Sequence, residues 1–291
     1  MQLYLLRIGS IVAVALAYML FDVFNKRDVP SIFAYATLAY GFLLTVLYFN
    51  IGSIILSVGI ALAILGVGYI VYRIGQLGAA DVIEFAAISL ILPMQGLPFI
   101  ASAQYNVPFA LSLLVNTGIV AIVLVPIYYI PKASRNLKKP IASYITSRNM
   151  LAAFLIGASY LAFMLFTYIV IGINYIRIAM LAVLMVSSLL VMLFSVPITY
   201  SMVEYVSVDR FDIGDIIALN LMPDRKIASL KKKITGFDRL VTADTISNMK
   251  KKGIKEKMPV YKNALPFALP IFIGAIVTLL VGNMMFVVLG I

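Results

Sequence analysis

Residues 29–72 run for 44 positions, and residues 85–131 for 47, without one Asp, Glu, Lys or Arg. A helix needs about 20 mostly apolar residues to cross a bilayer, so each run has room for two spans. The first run breaks at Asn50-Ile51-Gly52-Ser53 and the second near Gln104-Tyr105-Asn106-Val107-Pro108. Residues 3–21, 149–176, 178–203 and 263–291 supply one span each, which brings the total to eight. Pro93, Pro126 and Pro197 fall within apolar runs and predict kinks. The first stretch has only Arg7 as a basic residue and no small-residue cleavage pattern, so it reads as a retained span rather than a signal peptide.

Composition excludes whole classes of function. The chain is 63% hydrophobic and 12% charged, against about 45–50% and about 25% in soluble domains, so a soluble globular enzyme is excluded. It contains neither Cys nor His. That removes disulfides, thiolate nucleophiles and Cys-based zinc sites, together with the commonest general base and metal ligand. Any acid–base chemistry falls to Asp, Glu, Lys and Tyr, and neither a metal nor a cofactor is implied.

The 23 basic residues set an orientation. The connections after spans one, three, five and seven hold Lys26 and Arg27; Arg73; Lys132, Arg135, Lys138, Lys139 and Arg148; and the basic segment 205–262. Only Arg7 and Arg177 fall elsewhere. Both termini are therefore expected outside and the long segment in the cytoplasm. The net charge of +11 is then a topology signal; no nucleic-acid-binding motif accompanies it. The expected fold is an all-α polytopic membrane protein of about eight transmembrane helices, with a small cytoplasmic subdomain between the last two. Residues 1–104 form a four-span core. Residues 105–203 hold spans five to seven with a basic loop at 132–149, residues 204–262 the subdomain, and residues 263–291 the final span.

Within 205–262 stand 13 Lys or Arg and seven Asp or Glu. LVTADTISNMKKKGI reads as a short helix with Thr242 as N-cap, Lys250, Lys251 and Lys252 at its C-terminal end, and Gly253 as the stop. The triples Lys231-Lys232-Lys233 and 250–252 suit either anionic lipid or a solvated basic surface. The segment opens on an acidic group, Glu204, Asp209, Asp212 and Asp215.

Four acids remain, Asp22, Asp28, Asp81 and Glu84, all beside or inside spans. An ionisable group there is a functional candidate by default. Asp22 ends span one and Asp81 begins span four, and both ends face the cytoplasm in this topology. Two carboxylates brought to one depth share a proton. One activates a water and the other donates to the carbonyl or leaving amine, as in aspartic proteases. A charged turn around Lys26 and Arg27, with Asp81 as a helix cap, is the plain alternative, and a proton- or ion-coupled transporter is another. Glu84 shares a helix face with Asp81 and is a supporting residue.

Three pieces are similar to known sequences. FDVFNKRDVPS at 21–31 resembles the first-Asp segment of type IV prepilin peptidases. GQLGAADVIEFAAISLILP at 75–93 resembles their second-Asp segment in its archaeal form, Gly-x-hydrophobic-Asp, here Gly78-Ala79-Ala80-Asp81. MPVYKNALPFALPIFIGAIVTLLVG at 258–282 looks like the last span of archaeal preflagellin peptidases. The resemblance covers residues 10–105 well and 205–285 loosely. Ile83 stands where many relatives carry Lys, and six spans is the usual layout, so two spans, six and seven, would be additions. The resemblance implies a GxGD-type membrane aspartyl protease with Asp22 and Asp81 as catalytic pair and Gly78 as part of the motif. Its substrate would be a membrane-embedded archaellin or pilin precursor, its short basic leader cut off at the cytoplasmic face. Glu204, Asp209, Asp212 and Asp215 would attract that leader. A presenilin-like intramembrane protease is the alternative within aspartyl chemistry, but YD, GLGD and PAL motifs are missing.

Overall fold

Wherever the chain is described, its apolar runs are helices. The computed structural model describes residues 2–25, 28–48, 51–94, 107–137, 140–172, 174–234, 236–254 and 256–289. Lys26, Arg27, Asn50, Lys138, Lys139 and positions 104–106 of the expected second break lie outside the described residues. In chain order the helices begin with α1 (Gln2–Phe24), α2 (Ser31–Tyr48), α3 (Ile51–Arg73), α4 (Ala79–Ile91), α5 (Phe109–Asn136), α6 (Ser147–Ile171), α7 (Tyr175–Leu193) and α8 (Ser195–Met202). A polar unit follows with strand β1 (Glu204–Val206), helices α9 (Asp224–Lys233) and α10 (Ala243–Lys251), and strand β2 (Met258–Val260). Helices α11 (Ala268–Val281) and α12 (Met284–Leu289) end the described chain.

Five helices are long and apolar enough to cross a membrane: α1, α3, α5, α6 and α7, with mean hydropathies of 2.0 to 2.6. Their outward side chains are apolar; Ile55, Phe154 and Ile169 are each more than two-thirds exposed. Such a surface suits a bilayer rather than water. The molecule is thus consistent with an all-α membrane protein.

The expected spans differ from the observed helices in three places. Helix α4 has 13 residues and is about 20 Å long, short of the roughly 30 Å hydrocarbon layer. Pro93 stops it rather than kinking it: the ring holds the preceding Leu92 extended, at φ −138 and ψ 90. Span seven divides at Phe194 into α7 and α8, and Pro197 sits in the first turn of α8, where its missing N–H costs nothing. The last span divides at Gly282, whose φ of +87 lies in the left-handed region. Pro126 behaves otherwise, for α5 continues through both it and Pro131.

The core of the bundle is built from α1, α2, α4, α5 and α11. Ile11, Ala15 and Tyr18 of α1 pack with Phe85, Ile88 and Ile91 of α4, Leu113 of α5, and Ile271 and Ala275 of α11. Helix α4 is its centre; residues 84–92 are all buried. Helix α11 lies close against α5 because Gly274 has no side chain: a Cβ there would stand 2.6 Å from Thr117 Oγ1 and 2.9 Å from the Thr117 nitrogen. Asn116, fully buried on α5, holds the α11–α12 break. Its Nδ2 donates to Thr278 Oγ1 (2.8 Å) and the Gly282 carbonyl (2.7 Å), and its Oδ1 accepts from the Met284 N–H (3.0 Å). Helix α7 packs on α5, and α6 packs on α7.

The polar unit has a core of its own. β1 and β2 pair antiparallel, Tyr205 opposite Pro259. Val206, Phe211, Ile217, Leu230, Ile234, Phe237, Met249, Met258 and Val260 are buried together. The expected short helix is α10. Thr242 caps it by accepting the Thr245 N–H (3.2 Å), and Gly253 follows with φ +64.

Candidate active site

Asp22 lies in the last turn of α1 and is 8% exposed. Its Oδ2 accepts the backbone N–H of Ala268, the first residue of α11, at 3.1 Å. The first N–H groups of a helix have no acceptor within it, and a helix N-terminus favours a carboxylate. Helix α11 therefore holds the side chain at the end of α1.

Asp81 is the third residue of α4. Its Oδ2 accepts the N–H of Gly78, which precedes the helix, at 3.0 Å. Gly78 has φ −73 and ψ 151, a conformation open to any residue. Space is what requires glycine: a Cβ would stand 2.9 Å from Asp81 Oδ2. The bare Gly78 backbone thus makes room for the Asp81 carboxylate.

Asp22 and Asp81 lie within electrostatic range of each other, and Glu84 within range of both. Glu84 sits one turn beyond Asp81. It is fully buried, and neither of its carboxyl oxygens has a hydrogen-bond partner among the described residues. A charge at that position carries a heavy desolvation cost. Asp28 stands apart, exposed before α2, its N–H bonded to the Asn25 carbonyl at 2.9 Å.

Two neighbours of the pair escape a search for acids. Tyr18 is fully buried one turn before Asp22, shares a 2.9 Å hydrogen bond with Thr37, and stacks tilted on Phe33. It lies within electrostatic range of Asp81 and Glu84. The signal for it was its four-residue spacing from Asp22. The other is the Ala268 N–H, which no side-chain motif can announce.

The acids of the polar unit are divided. Asp212 and Asp215 both grip Lys262, at 2.6 and 2.7 Å, and Asp215 Oδ2 also accepts the Asp212 N–H. Burial pulls the Lys262 ammonium down, but the hydrogen bonds and charges of Asp212 and Asp215 outweigh it, so its pKa lies above the usual lysine value. Asp209 stands 3.9 Å from Lys250 with an 84% exposed side chain, and Glu204 is exposed on β1. Asp212 keeps an 81% exposed side chain even so, and of the two that grip Lys262 it is Asp215, 12% exposed, that turns inward.

Two carboxylates within electrostatic range, each at a helix N-terminus, can polarise a water. No family model matches the chain, and neither a curated protein nor a solved structure matches it.

Proposed function

We propose that this protein is a membrane aspartyl endopeptidase of the prepilin or preflagellin peptidase type. It removes the short basic leader of a membrane-embedded archaellin- or pilin-like precursor. The observation that supports this reading is that Asp22, at the end of α1, and Asp81, at the start of α4, lie within electrostatic range of each other. One carboxylate takes a proton from water as it attacks the scissile carbonyl. The other, protonated, donates to the carbonyl oxygen; the first then passes the proton it took from water to the leaving amine as the C–N bond breaks, and the second recovers its own from the re-forming carbonyl. The precursor's hydrophobic helix lies in the bilayer, and its leader reaches the cytoplasm at the depth of the pair.

The topology belongs to the same proposal. Eight apolar segments, with the basic residues after the odd-numbered ones, set residues 204–262 and the aspartates on the cytoplasmic side. The packing of α6 on α7, and of α7 on the outside of α5, supports reading these two helices as an added pair. Glu204, Asp209 and Asp212 keep exposed carboxylates, available to a basic leader. Glu84, a third carboxylate and one without a hydrogen-bond partner among the described residues, is the observation that favours a proton-coupled transporter instead.

Co-expression with a precursor carrying a basic leader separates these readings. The peptidase yields a shortened product, and Asp22→Asn or Asp81→Asn abolishes it while the protein still inserts. An intact precursor beside wild-type protein, with proton-driven uptake of a solute into vesicles, would contradict the proposal.

A further inference from the structure

A second site lies at the junction of α3 and the polar unit, and it is independent of the peptidase reading. A cleft of about 500 Å³ opens there, lined by Arg73, Lys231, Phe237, Asp238, Leu240 and Thr242 among others. That volume is in the range of small-ligand sites, about 300–1,000 Å³. Arg73 is the last residue of α3, a helix of mean hydropathy 2.6. Arginine at the end of an apolar helix snorkels to lipid headgroups where that helix crosses a bilayer.

The chemistry of the lining is specific. Arg73 and Lys231 have no ion pair or hydrogen bond among the described residues, whereas Lys226, Lys250 and Lys262 each face a carboxylate. Both are exposed, and two cations without a carboxylate partner lining one cleft suit a phosphate, which Arg grips with two parallel N–H groups and Lys as a point charge. Phe237 and Leu240, both nearly buried, supply an apolar wall. Asp238 is an acid in this cationic setting; its Oδ1 accepts the Arg239 N–H, which leaves Oδ2 for another donor. An acid beside a phosphate site disfavours a second negative charge and accepts a hydroxyl.

We propose that this cleft binds one anionic phospholipid through its phosphodiester, with Arg73 and Lys231 on the phosphate and Asp238 on a headgroup hydroxyl. A phosphatidylglycerol-type lipid has that chemistry. Its acyl chains would run along α3, and the lipid would brace the polar unit against the membrane.

Native mass spectrometry of the full-length protein, released from nanodiscs of phosphatidylcholine with phosphatidylglycerol or with phosphatidic acid, tests this. The wild type is expected to retain one phosphatidylglycerol in preference to either competitor. Arg73→Gln with Lys231→Gln lowers retention by about tenfold or more. Asp238→Asn keeps phosphate binding and loses the preference over phosphatidic acid. Lys232→Gln with Lys233→Gln, which alters the same helix outside the cleft, leaves retention unchanged. Equal losses from both double variants would show a diffuse charge effect and overturn the proposal. So would displacement of the lipid by equimolar glycerol phosphate, which would assign the cleft to a soluble phosphate ester.

Discussion

A backbone N–H decides how Asp22 is held, and a missing Cβ decides how Asp81 is held. Gly78→Ala is compatible with the local backbone but drives a methyl into the Asp81 carboxylate, 2.9 Å away. Precursor cleavage is expected to fall by about 100-fold, the scale of an ångström's misplacement, while a thermal melt in detergent shows the fold intact. Glu84 gives a different expectation. Its carboxyl oxygens are buried without partners among the described residues, so Glu84→Leu removes an unsatisfied polar group at similar volume. Stability is expected to stay the same or rise by about 1–3 kcal/mol, read from the same melt. A large loss would mean that the carboxyl group has a partner. Both aspartates were legible in the sequence because a charge in an apolar run stands out. The Ala268 contact was not, because a backbone donor carries no residue code. Nor was the engagement of Asp212 and Asp215, because Lys262 lies far along the chain and on the opposite side of two helices in sequence.

Helix existence was legible and helix length was not. Charge gaps mark where the chain avoids water, so they located α1, α2, α3, α6 and α7 and the step between α2 and α3. They cannot mark where a helix is packed in protein rather than lipid. Helix α4 carries Asp81 and Glu84 inside its span because its neighbours, not lipid, surround it. The close approach of α5 and α11 sets the position of Ala268, and through it that of Asp22. Gly274→Leu places a branched side chain against Thr117, whose backbone nitrogen is 2.9 Å from the added Cβ. The expected cost is about 1–3 kcal/mol, seen as a lower melting temperature, with cleavage falling further than stability alone explains because Asp22 loses its donor. Unchanged activity in a destabilised variant would separate α11 from the site.

At the scale of the whole molecule, Lys262 ties the polar unit to the chain that enters α11. Its pKa is raised in the fold, so its contribution is present below the unfolded lysine value, about 10.4, and is lost as pH rises through the folded one. Limited proteolysis of the full-length protein is expected to show residues 205–262 becoming susceptible at strongly alkaline pH. Lys262→Met is expected to be susceptible at pH 8 already and to lose that alkaline step; an identical profile in both proteins would deny the tether a role. The joint action of Asp22 and Asp81 is tested most directly by precursor cleavage with purified protein in vesicles, comparing wild type, Asp22→Asn, Asp81→Asn and the double variant. Wild type is expected to release the leader, and each single variant to lose at least about 100-fold. The double variant is expected to be no worse, as holds for residues that act as one unit. Cleavage that survives either single substitution, or a wild-type protein that leaves the precursor whole, would contradict the account.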